Sequence, residues 1–248
     1  MDDEQLLRYS RQIMLPEVDL HGQQKLAKAR VLVIGMGGLG SPVAMYLAAA
    51  GVGHLVIVDF DTVELSNLQR QIVHRTADLG RPKVESARDS LLALNPLVQV
   101  TPISHALADA PLLAEVRQAD VVVDASDNLP TRFAINAACV QARKPLVSGA
   151  AIRMEGKVLV YRPDRPDAPC YRCLYRSDKE ITESCSQTGV IAPLLGIIGS
   201  IQAMETLKLI IGIGETLTGR LLLLDARTLE WHEIKIRKNP NCPVCAAA

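Results

Sequence analysis

Aromatic side chains are scarce in this chain of 248 residues: two Phe, one Trp and five Tyr. That is too few for the stacking platform on which single-stranded nucleic acid is held. Net charge is absent too, since Lys plus Arg and Asp plus Glu each total 27. No global field therefore exists to hold a nucleic-acid backbone or an anionic membrane, and any anion site must be local. The first residues, MDDEQLLRYSRQ, lack the apolar core of a secretory leader, which points to a cytoplasmic protein. One long apolar run exists, Val190 to Ile213, but Pro193, Gln202, Glu205 and Lys208 interrupt it. The spacing of Glu205 and Lys208 predicts a core helix with one wet edge rather than a membrane span.

What the chain does have is rhythm. Short apolar runs at Val31 to Gly35, Leu55 to Asp59, Val98 to Ile103, Val121 to Asp124 and Leu146 to Ser148 alternate with helical patterns. These are Gly38 to Ala50, Lys83 to Leu94, Asp109 to Gln118 and Pro130 to Arg143. Alternating βαβ units with nearly continuous apolar strands predict an α/β fold, a Rossmann-like doubly wound sheet, parallel in this half and covered on both faces. Beyond about residue 150 the pattern changes to longer strands at Lys157 to Arg162, Arg220 to Asp225 and Glu230 to Arg237, with one strong helix, Pro193 to Ile211. These are expected to extend the same sheet in antiparallel fashion. The expected organisation is one domain over 1–248: a helical arm at 1–28, a nucleotide-binding half at 29–152, and a half at 153–248 with the antiparallel strands, a loop and a metal site. The unpatterned, Pro-, Asp-, Ser- and Cys-rich segment from Pro163 to Gly189 has the length of a functional loop.

Gly35-Met36-Gly37-Gly38-Leu39-Gly40 matches G-x-G-x-x-G between a predicted strand and a predicted helix, with Asp59 ending the next strand. Such glycines let backbone approach a phosphate, the helix end offers free N–H groups, and the acid can accept ribose hydroxyls. The pattern does not choose between a dinucleotide and ATP. Arg70 and Lys83 shift the balance, because a triphosphate needs fixed cations and usually Mg²⁺. Asp127, in the cluster Asp124-Ala125-Ser126-Asp127-Asn128, sits where a carboxylate would face those phosphates. A magnesium ligand is its natural role, and capping of the following helix is the plainer one.

Four of the six cysteines form Cys170-Tyr-Arg-Cys173 and Cys242-Pro-Val-Cys245, two knuckles of the kind that hold a tetrahedral structural Zn²⁺. Cys139 lies in an apolar helical pattern and reads as core. Cys185, in the unpatterned segment, is a surface thiol, a nucleophile or neither. The histidines at 21, 54, 74, 105 and 232 show no ligand spacing.

Taken together, RYSRQ, GMGGLG, DFDTVELSNLQRQ, GRPKVESAR, DASDN, VSGAAIRMEG, CYRC and CPVC resemble the MoeB/ThiF family, bacterial relatives of the ubiquitin-activating enzymes. The resemblance runs from about residue 5 to the last cysteine. It implies a nucleotidyltransferase that uses ATP and Mg²⁺ to adenylate the C-terminal glycine of a small ubiquitin-like sulfur-carrier protein ending in Gly-Gly, releasing pyrophosphate. The carrier expected is of the molybdopterin-synthase small-subunit type, with a thiamine-pathway carrier as the alternative. By position it places Gly38 and its neighbours behind the nucleotide, Asp59 at the ribose, Asp61 among the nucleotide-binding residues, and Asn67, Arg70 and Lys83 at the phosphates. Asp127 and Asn128 fall at the metal. It also implies a homodimer in which Arg11 reaches the partner subunit's ATP. Cys185 falls where some relatives place a thiol for a covalent link, though adenylation without an obligatory thioester is expected. The chain ends soon after Cys245, so a fused sulfur-transferring domain is not expected. The rival from another class is a nicotinamide-dependent oxidoreductase, which would use the glycine turn and Asp59 but leave Arg70, Lys83 and Asp127 without a task.

Overall fold

The computed structural model describes residues 1–175 and 189–246. Cys185 lies outside the described residues. The described strands form one eight-stranded sheet in the order β3-β2-β1-β4-β5-β6-β7-β8. β1 (Arg30–Ile34), β2 (His54–Val58), β3 (Gln99–Ile103), β4 (Val121–Asp124) and β5 (Leu146–Ile152) run parallel. β6 (Glu155–Tyr161), β7 (Arg220–Asp225) and β8 (Glu230–Lys235) follow in antiparallel steps.

The apolar strands explain the two layers of helices. Alternate residues of β1 point to opposite faces, Val31 and Val33 into one cluster and Leu32 and Ile34 into the other. The first cluster is closed by α3 (Asp19–Lys28), α4 (Gly40–Ala49), α5 (Lys83–Leu94) and α9 (Ala192–Ile211). The second is closed by α6 (Asp109–Gln118) and α7 (Leu129–Ala142). Ahead of them, α1 (Asp3–Arg8) and α2 (Ser10–Ile13) form the start of the chain. They are pinned by buried Tyr9, whose hydroxyl accepts from Asn95 Nδ2 at 2.8 Å.

β1 has β2 on one side and β4 on the other, so strand order reverses there and a crevice opens at the carboxyl ends of β1 and β4. The glycine turn and the Asp124–Asn128 cluster both sit at that crevice.

Three features differ from the sequence reading. β5 continues to Ile152 because Ala150 pairs with Lys157 and Ile152 with Glu155, a register that only the antiparallel hairpin supplies. Within the segment that shows no pattern, Tyr171–Leu174 forms a helical turn, α8. Glu205 is not on a wet edge: it is buried, accepts Leu217 N–H at 2.8 Å and pairs with Lys208. Gln202 of the same helix is fully buried and donates to the Asp124 carbonyl at 2.8 Å. Long and apolar enough to cross a membrane, α9 here packs against α4, β5 and β6.

Candidate active site

A cavity of about 840 Å³ opens at the crevice, lined by Gly35, Gly37, Gly38, Asp59, Asp61, Arg70, Lys83, Asp127 and Asn128, among others. The glycines divide by cause. A Cβ on Gly40 would lie 1.8 Å from the Gly35 carbonyl oxygen, so glycine there is demanded by the close approach of turn and helix. A Cβ on Gly37 would meet only Gln71 Nε2 at 3.6 Å. The fold leaves room at Gly37, and that room faces the cavity.

Behind the turn, Asp59 ties it in place. Its Oδ2 accepts Met36 N–H at 2.7 Å and its Oδ1 accepts Asp61 N–H at 2.9 Å. Both oxygens expected to meet a ribose thus already hold backbone, each with a further lone pair free. Burial raises the Asp59 carboxyl above its ordinary range, against the pull of Lys83. Buried His74 closes the other side, with Nε2 3.0 Å from the Met36 carbonyl oxygen and Nδ1 2.9 Å from Ser86 Oγ. It props the turn rather than facing the cavity.

Lys83, with only 7% of its side chain exposed, donates to Asp61 Oδ2 at 2.7 Å. Arg70 reaches the cavity from the turn after β2, where its Nη1 donates to the Ser66 carbonyl at 3.0 Å. Asn67 lies in the same turn but not among the cavity-lining residues; its amide oxygen accepts Glu64 N–H at 3.4 Å. Arg11 also lies away from the cavity, exposed on α2 with Nη1 3.6 Å from Met14 Sδ.

Asn128, not Asp127, caps α7: its Oδ1 accepts Thr131 N–H at 3.0 Å. Asp127 is left exposed at the cavity, its Oδ1 accepting, among the described residues, only a long 3.4 Å contact from Asn128 Nδ2. Among the described residues it has no basic partner within ion-pair distance, so its position suits a divalent cation.

Several further side chains lie at or behind the cavity wall. Gln71 is buried with Oε1 unpartnered. Arg132 is buried and donates to the Ser126 carbonyl. Burial works against its charge, but the nearby Asp124 carboxylate holds it protonated. Asp124 is itself buried and accepts from Ser126 Oγ at 2.6 Å and Ser148 Oγ at 2.8 Å. Lys157 of β6 completes the wall.

The Sγ atoms of Cys170, Cys173, Cys242 and Cys245 lie within 4.8 Å of one another, all buried. Cys170 and Cys242 are 3.6 Å apart and Cys173 and Cys245 3.5 Å apart. Those gaps are far too long for a disulfide, and close to the roughly 3.8 Å expected between sulfurs around a tetrahedral ion with bonds of about 2.3 Å. Asn239 N–H points at Cys173 Sγ at 3.3 Å, a donor suited to a thiolate. The donor set fits a closed, structural metal site tying the chain end to α8. Cys139 is buried core, as its pattern predicts.

The ThiF family profile matches residues 9–244. The chain belongs to the ThiF family. It is 49% identical over 245 residues to the molybdopterin-synthase adenylyltransferase of Escherichia coli K12, covering 99% of this chain and 98% of that one. It is 45% identical to the sulfur carrier protein ThiS adenylyltransferase of the same organism, over 100% and 98% of the two chains. Among solved structures it resembles PaaA, with a TM-score of 0.82 and 28% identity over 96% of this chain and 76% of that one. It also resembles E. coli MccB bound to succinimide, with a TM-score of 0.83 and 25% identity over 96% and 73%.

Proposed function

We propose that the chain is an ATP-dependent adenylyltransferase that activates the C-terminal glycine carboxylate of a small ubiquitin-like sulfur carrier. The observation that carries the reading is one cavity holding both a backbone turn with room at Gly37 and a charged set, Arg70, Lys83 and Asp127. The adenylyltransferase relatives match over essentially their whole length. The molybdopterin-synthase type of carrier is favoured over the thiamine type by the higher identity of the former relative.

In this reading ATP lies with its phosphates against the glycine turn. A carboxylate oxygen of the carrier attacks the α-phosphorus, the bond from that phosphorus to the bridging oxygen breaks, and pyrophosphate leaves with its electron pair. No proton moves, because a glycine carboxylate is already ionised at neutral pH. That agrees with a cavity that no histidine lines among the described residues, His74 being buried behind the turn. Lys83 and Arg70 hold phosphate oxygens, Lys83 exchanging Asp61 for the stronger anion. Asp127 would hold Mg²⁺, which when bound neutralises phosphate charge. Zn²⁺ at the four cysteines serves folding only.

A homodimer completes the proposal. Leu7, Met14 and Leu15, all exposed, flank Arg11 on the N-terminal arm, and such an apolar patch around a basic side chain suits a second copy. Arg11 would then act on the partner subunit's nucleotide. A cytoplasmic location agrees with four unpaired thiols available to a metal.

Thermal melts with ATP–Mg²⁺ and with NAD test the nucleotide directly. A rise in midpoint with ATP–Mg²⁺ alone is expected. A rise with NAD alone would contradict the reading.

A further inference from the structure

Half of the eight aromatic side chains gather at one place. Tyr171 of α8 packs edge-on against Phe133 and Tyr161, with ring centroids 5.7 and 5.8 Å away, and its centroid is 4.7 Å from that of Tyr175. Beside them, Lys157 Nζ donates to the Tyr175 hydroxyl and stands 4.9 Å from the centre of that ring. Lys157 lies on β6, separated from β1 by β4 and β5, so it stands roughly 14 Å across the sheet from the glycine turn. Both ends belong to the same cavity.

The two cations that line the cavity at this end differ in how they are satisfied. Arg132 is bonded to the Ser126 carbonyl and balanced by Asp124. Lys157 has a neutral phenol as its hydrogen-bond partner, and among the described residues no carboxylate lies within ion-pair distance of it. An ammonium removed from water without a counter-ion is costly, and burial together with Arg132 pushes its pKa down to about 8. Such an arrangement persists where a ligand brings the missing anion.

The register shows where that anion would come from. Ala150, Lys157, Leu223 and His232 are successive partners across β5, β6, β7 and β8. Cross-strand partners share a face, so this row leads from the open edge strand β8 into the cavity. An extended tail of about four residues spans it. Ala150 and Ala151 line the cavity end of the row, leaving a passage that suits residues without side chains.

The geometry points to Lys157, steadied by Tyr175, as the group that draws in the terminal carboxylate of an incoming glycine-ended peptide tail before that carboxylate moves on to the nucleotide at the turn end of the cavity. This rests on the adenylation reading above and adds to it the residue that selects a free, ionised C terminus.

The test uses the full-length protein and a small ubiquitin-like protein ending in Gly-Gly, prepared as the free acid and as the C-terminal amide. Binding is measured by calorimetry without nucleotide. The unmodified enzyme should bind the acid about tenfold more tightly than the amide. Lys157→Met should remove that gap by weakening the acid alone, and Lys157→Arg should keep part of it. Lys157→Gln serves as a second neutral variant should Lys157→Met fold poorly. A gap that survives in the neutral variants overturns the inference. Equal binding of acid and amide by the unmodified enzyme, with carrier-dependent pyrophosphate exchange intact, also overturns it while leaving adenylation standing. Absence of binding and of exchange together removes both.

Discussion

At the glycine-turn end of the cavity the buried charges, Asp59 and Lys83, already have internal partners, whereas at the β6 end the buried Lys157 has no counter-ion among the described residues. Asp59 holds two backbone N–H groups, and Lys83 holds Asp61. Lys157 leans on a phenol. Asp59 and Lys83 are satisfied before a nucleotide arrives, so a triphosphate must displace or share their existing contacts. The β6 end is incomplete until an anion enters. A generic phosphate-binding device and a receiver for one particular partner have thus been joined along one sheet, the first in its parallel half and the second in its antiparallel half.

The contrast breaks most severely at the four-cysteine site. Stripping the four-cysteine site with a strong chelator, or replacing Cys242 by Ser, should lower the melting midpoint by on the order of 10 °C or more. Calorimetry with metal analysis before and after checks this; an unchanged midpoint in demetallated protein would show that the site bears no load. The next effect falls at the other end. Asp127→Asn should cut carrier-dependent exchange by about 10²- to 10³-fold with the midpoint nearly unmoved, since Asn128, not Asp127, caps α7.

The glycine turn gives a sharper comparison within one motif. Gly37→Ala should fold normally and bind ATP about tenfold more weakly by filtration binding. Gly40→Ala should impair folding itself, because its Cβ has nowhere to go.

The smallest effect concerns the unsatisfied ammonium. Its folded pKa of about 8 lies below the roughly 10.4 of an unfolded chain. The folded state therefore binds fewer protons between those values, and stability should rise with pH across about pH 8 to 10.4. Below pH 8 the cost of the buried charge, which faces Arg132, Glu155 and Tyr175, is present in full. Lys157→Met should accordingly be more stable than the unmodified protein at pH 7, by about 1–2 kcal/mol, with the difference closing by about pH 10 in urea titrations. A Lys157→Met protein less stable at pH 7 would mean that the Tyr175 contact outweighs burial.

These two ends were unequally legible in the sequence. The nucleotide end follows from local signals: an apolar strand, a glycine turn and an acid at the end of the next strand lie within thirty residues. The paired C-x-x-C knuckles identify themselves by spacing, although the fold alone brings residues 170 and 242 together. The receiver end has no local signal. Lys157, Arg132 and Tyr175 come from a strand, a helix and the residue after α8, and only the packing of α7 and α8 beside β6 joins them. Residue type misled elsewhere. Glu205 looks like a solvent-facing helix residue, but a bend of chain at Leu217 brings it a backbone donor. Asn67 and Arg11 gain their expected roles by resemblance and stand outside the cavity of the single chain. Gln71, inside DFDTVELSNLQRQ, was hidden among neighbouring amides until its burial against the turn set it apart.

The central claim is that this one cavity brings ATP to an ionised C terminus, and ATP–pyrophosphate exchange tests it most directly. With a ubiquitin-like carrier ending in Gly-Gly, exchange should require the carrier's free carboxylate and should collapse in both Arg70→Ala and Asp127→Asn. Exchange that proceeds without a carrier, or that survives both substitutions, would contradict it.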